Sequence, residues 1–249
     1  MRIKTDIPIY ISEIAQILKS DFNSDSQVNA ICTNSRNCEN GDLFFALKGE
    51  NFDGGDFIVQ AKSKGAHTVA NRINADFLVI DAYKALLSVA SRYKQKINPK
   101  YTVAVTGSIG KTTVKDFIYS LLSHTMNVHK SENNFNNILG LSYTLLSAKK
   151  ETEALVCELG MNHRGEIDEL SKAITPNISI ITNVGTAHIG NLGSREEIAK
   201  AKLEIENGMS DGKTVIKDDE MLLKSAKNPY YISYTDTNAD LFIKLLRSS

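Results

Sequence analysis

The pattern of apolar and polar positions changes character near residue 81 and again after residue 100. Close to the start, apolar residues at 11, 14, 15, 17 and 18 share one helical face, with Ser12 as N-cap and Glu13 in the first turn. Residues 19–27 are polar and read as a loop. Val28–Cys32 and Leu43–Leu47 are apolar runs of strand length, separated by a turn around Asn40-Gly41. Lys48–Gly55 is rich in glycine and polar residues and reads as a loop. Phe57–Lys64 has helical spacing and ends at Gly65, after which Thr68–Ala70 and Phe77–Ile80 are short strand candidates. These residues predict a small α/β unit. Helical spacing returns over Ala82–Tyr93, and a basic stretch with Pro99 follows. The expected boundary lies near Asp81, giving domains over 1–81 and 82–249.

In the second part, apolar runs at Thr102–Val105, Ala154–Glu158, Ile178–Thr182 and Lys213–Ile216 alternate with helical patterns. The helices are expected from Lys111 to Leu122, over Leu139–Leu146 and Glu166–Ala173, and from a Ser194 cap to about Asn207. Strands that alternate with helices predict an α/β fold with a mostly parallel sheet covered on both faces. Ligands of such sheets bind outside the carboxyl ends of the strands.

The chemistry gathers at those ends. Thr102–Val105 runs into Thr106-Gly107-Ser108-Ile109-Gly110, and Lys111-Thr112-Thr113 opens the next helix. Strand, glycine-rich turn, Lys-Thr and helix in that order describe a phosphate-binding loop. Glycines let amides close around an anion, and the helix N-terminus adds partial positive charge. Lys111 is placed to reach the outer phosphates and the Thr112 hydroxyl to ligate Mg²⁺. The general pattern also asks for glycine at position 105, which is Val.

Glu158 ends its strand as either a solvated acid or a Mg²⁺ ligand. His188, in the loop after the third strand, is either an exposed histidine or a group for a second metal ion or phosphate. Lys200 and Lys202 point to different helix faces, and their spacing does not choose between them. Asn134, Asn136 and Asn137 offer neutral donors and acceptors, for a substrate or for local turns. Ser35, Arg36, Lys48 and Asn51 lie on loops of the first part, where the two cations are either surface charge or a diphosphate site.

Composition narrows the classes. Of 249 residues, 42% are hydrophobic and 23% charged, as in an ordinary globular protein. Lys plus Arg equal Asp plus Glu at 29 each, which removes the broad basic footprint of a nucleic-acid binder. Cys32, Cys38 and Cys157 lack metal-ligand spacing and read as reduced thiols. No apolar run is long enough to span a bilayer, and the expected compartment is the cytoplasm.

Four ordered segments, TGSIGKTT, NNFNNILG, CELGMNHRGEI and ITNVGTAHIGNLGSREEIAKAKLEI, resemble the central ATPase domain of the Mur ligase family. TNSR followed by GDLFFALKGENFDGGDFI resembles a uridine-nucleotide domain of that family. The likeness runs from residue 12 to about 240. The family's loop does not require the early glycine, so Val105 is no departure from it. The resemblance implies ATP held by Gly107, Ser108, Ile109, Gly110, Lys111, Thr112 and Thr113. It implies Mg²⁺ on Thr112 and Glu158, with His188 helping to hold a second ion. It brings Asn134 and Asn137 near ATP and substrate. It selects Lys202 as a lysine that becomes carbamylated and then ligates metal, and it gives Ser35, Arg36, Lys48 and Asn51 to the UDP part of a substrate.

The implied activity is that of peptidoglycan precursor synthesis, joining D-alanyl-D-alanine to UDP-MurNAc-tripeptide through an acyl phosphate. The alternatives are another amide ligase of the superfamily, or a fragment that binds the UDP precursor without catalysis. The family's third, Rossmann-like domain has no counterpart after Leu246, so a chain incomplete for turnover is expected.

Overall fold

The computed structural model describes residues 1–22, 24–185 and 189–243. Its chain packs into two compact units, Met1–Asn98 with Ile138–Thr152, and Pro99–Asn137 with Glu153–Ser249.

In the first unit, strands β1 (Arg2–Ile3), β2 (Ile9–Tyr10), β3 (Gln27–Val28), β4 (Ile31–Cys32), β5 (Leu43–Phe45), β6 (His67–Ala70) and β7 (Phe77–Leu78) form two sheets. The larger has the order β1-β4-β5-β6-β7, with β1 antiparallel to β4 and the rest parallel. β2 and β3 pair separately. The single strand expected over Val28–Cys32 is therefore split. Asn29 causes the split: its amide donates to Gly41 O (2.9 Å) and its side chain to Asn40 O (2.8 Å). The first helix spans Ile11–Leu18. Ser12 lies inside it rather than capping it, and Glu13 accepts the Tyr10 amide at 3.0 Å.

The helix Ala82–Ile97 is capped by Asp81, whose carboxylate accepts the amides of Tyr83 and Lys84. It buries Leu86, Leu87, Val89, Ala90 and Tyr93 and packs on the helix Ile138–Ser147. By packing, then, this helix belongs with the first unit, although the sequence boundary assigns it to the second part. Its apolar stripe has a partner from forty residues downstream, which local spacing does not reveal.

The second unit holds β8 (Tyr101–Thr106), β9 (Val128–Lys130), β10 (Ala154–Glu158), β11 (Ile178–Ile181), β12 (Lys213–Lys217), β13 (Pro229–Ser233) and β14 (Leu241–Phe242). All seven are parallel, in the order β14-β13-β12-β11-β8-β10-β9. The central strands are continuous apolar runs because both faces are covered. On one face Val103, Val105 and Val156 meet Val114, Ile118 and Leu122 of the helix Lys111–Leu122. β8 lies between β10 and β11, so the winding reverses there and opens a crevice at its carboxyl end. Register aligns the exits: Glu158 sits opposite Val105, and Ile181 opposite Thr106. β9, β13 and β14 were not expected; β9 and β14 are three and two residues long, below the length at which a strand period can be read. Among the described residues, no helix is long and apolar enough to cross a membrane.

Tyr93 closes the first unit's core. Its hydroxyl accepts the amides of Asp6 (2.9 Å) and Ile7 (3.2 Å) and donates to Ala148 O (3.1 Å). Tyr93→Phe removes the partner of three backbone groups and is expected to destabilise the protein by about 2–3 kcal/mol in urea titration; a loss under 0.5 kcal/mol, roughly that of a surface change, contradicts the bookkeeping.

Candidate active site

The turn between β8 and its helix has the geometry of an anion cradle. Gly110 caps the helix with φ +84° and supplies no side chain, so the amides of Lys111, Thr112 and Thr113 have neither an intrahelical acceptor nor a cap. A Cβ on Gly110 would meet nothing within 4 Å, so the space in front of this first turn is open. Gly107 is the opposite case: a Cβ there would strike the Thr182 hydroxyl at 1.9 Å.

That close approach is part of a brace. Asn183 accepts the Ile109 amide through Oδ1 (3.1 Å) and donates to Ile109 O through Nδ2 (2.9 Å). Its carbonyl accepts the Ser108 amide at 3.1 Å, and Thr182 donates to Ile109 O at 2.6 Å. The loop after β11 thus fixes the front of the turn. The amides of Ser108 and Ile109 are engaged there, while those of Lys111 to Thr113 stay open. Lys111 folds back onto Gly107 O at 3.0 Å.

Below the turn, Glu158 is buried, 1% exposed. Oε2 accepts the Thr112 hydroxyl at 2.8 Å, and Oε1 accepts Asn136 Nδ2 at 3.0 Å. Strand register delivers the acid and the helix's first turn delivers the hydroxyl. A carboxylate beside a hydroxyl is a hard-oxygen pair that suits Mg²⁺ when phosphate oxygens and water complete the shell. Among the described residues, no three His, Cys, Asp or Glu gather to hold a metal by themselves.

The asparagine segment contributes through Asn136. Asn134 is exposed and gives only its carbonyl, to the Asn136 amide at 2.7 Å; Asn137 is also exposed. The sequence named Asn136 but had no reason to prefer it. The reason is tertiary: Gly160 donates to Asn136 O at 2.8 Å and holds it against the end of β10.

Ser194 caps the helix Arg195–Leu203 through the Glu197 amide, as its sequence indicates. This helix separates its two lysines. Lys200 is exposed and pairs with Glu197 at 2.7 Å. Lys202 is 1% exposed. Burial, with repulsion from the Lys111 ammonium, lowers its pKa from 10.5 to about 8. His188 lies outside the described residues.

Within the first unit, the four substrate candidates divide. Ser35 and Arg36 line a cavity of about 390 Å³ with Asn34, Phe44, Phe52 and Phe57. The Ser35 hydroxyl donates to Gln60 at 2.6 Å, and Arg36 is exposed. Lys48 lines a different cavity of about 320 Å³, beside Asp53, Arg72 and Asp81. Asn51 is exposed and lines neither. Cys32, Cys38 and Cys157 are free and buried.

Residues 105–246 match the Mur ligase middle domain, and residues 27–108 match the Mur ligase family catalytic domain. The chain is 40% identical over 229 residues to the UDP-N-acetylmuramoyl-tripeptide–D-alanyl-D-alanine ligase of Bacillus subtilis, covering 87% of this chain and 50% of that protein. It is 36% identical to the Escherichia coli protein of the same name, covering 82% and 46%. Among solved structures, MurF from Acinetobacter baumannii superposes with a TM-score of 0.85 at 32% identity, covering 95% of this chain and 55% of that one. MurF from Thermotoga maritima in complex with ADP gives 0.76 at 34%, covering 83% and 50%. The chain spans about half the length of the curated relatives it matches.

The depressed pKa of Lys202 makes stability depend on pH. Between about 8 and 10.5 the unfolded chain holds the Lys202 proton and the folded chain releases it. Folding stability therefore rises with pH across that window and carries its full penalty below it. Lys202→Met in carbon-dioxide-free buffer is expected to raise stability at pH 7 by up to about 3 kcal/mol, with the gain fading as pH rises from 8 to 10. An equal difference in Tm at pH 7 and pH 10 contradicts it.

Proposed function

The chain belongs to the Mur ligase family, and on that premise we propose that it is the nucleotide- and precursor-binding part of an ATP-dependent ligase. The reaction joins D-alanyl-D-alanine to UDP-MurNAc-tripeptide. The single observation that carries the reading is the Thr112–Glu158 pair, 2.8 Å apart beneath an open helix N-terminus. The names of the relatives supply the substrates. ATP and a UDP-activated precursor as substrates favour the cytoplasm.

A peptide carboxylate is a poor electrophile toward an amine. In the proposed reaction it first attacks the γ-phosphorus of ATP, displacing ADP and forming an acyl phosphate. The amine of D-alanyl-D-alanine then adds to the acyl carbon, and phosphate leaves as the amide forms. The amides of Lys111, Thr112 and Thr113, with the turn Gly107–Gly110, hold the triphosphate. Lys111 leaves Gly107 O for the outer phosphates and offsets charge that builds up as the phosphoryl group moves.

Mg²⁺ would rest on Thr112 and Glu158, and a second ion on His188 and a carbamylated Lys202; bound there, the ions neutralise the crowded phosphate oxygens. Carbamylation needs a neutral amine, and the lowered pKa of Lys202 supplies one near neutral pH. Asn136 holds Glu158 from its other oxygen, and Asn134 and Asn137 lie on the same segment for contacts with nucleotide and substrate. Arg36 and the aromatic walls of its cavity suit a diphosphate and a flat base. Ser35 lies in the same cavity. Lys48 and Asn51 act on the precursor from the neighbouring loop.

Calorimetry tests the reading by binding rather than turnover. The protein is expected to bind a non-hydrolysable ATP analogue with Mg²⁺, and to bind UDP-MurNAc-tripeptide. Lys111→Met should weaken the former, and Arg36→Ala the latter, each about tenfold or more, as loss of a charge-assisted contact does. Precursor binding without nucleotide binding would favour the non-catalytic alternative; binding of neither ends the proposal.

A further inference from the structure

Lys115 is absent from every candidate set above, yet it is among the most deeply buried side chains in the protein, 1% exposed. Its helix packs Val114, Ile118 and Leu122 against the sheet. An apolar side chain at 115 would bury at far lower cost, because a buried ammonium loses its hydration and must be well partnered to make that good. The partners identify its task. Nζ donates to Asn133 O at 3.0 Å and lies 3.6 Å from Asp116 Oδ1, which Lys130 also engages at 2.6 Å. Asn133 holds φ +45°, a left-handed conformation that asparagine adopts more readily than other residues with a side chain and that turns its carbonyl for the bond to Lys115.

The segment from Ser131 to Asn136 is fixed to β10 at both ends. The Ser131 amide donates to Val156 O at 3.0 Å, and its hydroxyl accepts the Glu158 amide at 3.2 Å. At the other end the Gly160 amide reaches Asn136 O. Between those anchors, Lys115 ties the turn to the helix. Thr112 and Lys115 are three residues apart and so share a helix face. One grips Glu158 Oε2 directly; the other holds the turn that brings Asn136 to Oε1.

We propose that Lys115 is a positioning residue of the nucleotide site, whose buried ammonium pins the asparagine turn so that Thr112 and Asn136 fix both oxygens of Glu158. The inference deepens the proposed function and rests on it for the role of Glu158; the tie itself does not depend on any ligand.

The test uses Lys115→Met and Lys115→Arg in the whole chain, with two readouts. In ligand-free protein, amide hydrogen exchange over residues 132–137 should quicken at least tenfold in Lys115→Met. Exchange in β11 and β12 should stay as in the parent, and Lys115→Arg should recover part of the protection. The Mg²⁺ concentration giving half-maximal binding of the ATP analogue should rise roughly 10- to 100-fold, as when a group that orients a metal ligand is lost. Binding of the analogue without Mg²⁺ should change less than about twofold. Unchanged exchange over 132–137 overturns the proposal. So does acceleration spread evenly over the sheet, which would mark a purely structural lysine. If the parent protein binds no nucleotide, the functional reading falls, and the exchange comparison alone decides whether Lys115 holds the turn.

Discussion

A buried carboxylate held only by neutral donors is the constraint around which the second unit is arranged. Glu158 is almost without solvent, and a hydroxyl and a carboxamide are its side-chain partners. Among the described residues no Lys or Arg forms an ion pair with it. Neutral donors offset part of the desolvation cost of the charge and leave much of its field uncancelled. The parallel register brings the acid level with the end of β8, the glycine turn starts the helix where Thr112 can meet it, and the asparagine segment approaches from the other side. A shift of β10 by one residue would turn the carboxylate to the opposite face and undo all three contacts.

The second unit sets three lysines in different states. Lys111 is half-buried and rests on a carbonyl of its own turn, a contact it can give up. Lys115 is buried and bound to backbone. Lys202 is buried and inclined to lose its proton. The same side chain is therefore a half-buried cation on its own turn, a buried one tied to backbone and a buried one that sheds its proton more readily, according to solvent access and to what lies around it. Lys111 and Lys202 stood out from motifs, and Lys115 did not.

That contrast accounts for what could be read in advance. The central strands β8, β10, β11 and β12 and the helix at Lys111 announced themselves because their apolar periods are long and unbroken. Glu158 could be assigned to a strand exit because spacing along one strand fixes direction; Lys202 is preferred to Lys200 only through the family resemblance, since helical spacing does not choose between them. Asn136, Asn183 and Lys115 could not be singled out, since their partners lie on other elements and their residue types are unremarkable in loops and helices. Strand β14 has two residues and β13 opens on Pro229, which speaks against a strand, and the split at Asn29 depended on two carbonyls eleven or so residues away in sequence. Local order follows from local pattern; the site is made of long-range contacts between segments that look ordinary alone.

The helix Ile138–Ser147 is contributed to the first unit from the middle of the second unit's sequence. Leu141, Leu145 and Leu146 of that helix are fully buried, and it packs against Ala82–Ile97. No single cut of the backbone can therefore release either unit whole. A fragment ending at Asn98 would lack the helix that covers its own longest one, and the remainder would carry a greasy segment with nothing to lie on. During synthesis the earlier unit cannot finish assembling until some fifty further residues have emerged, among them the first strands of the other unit.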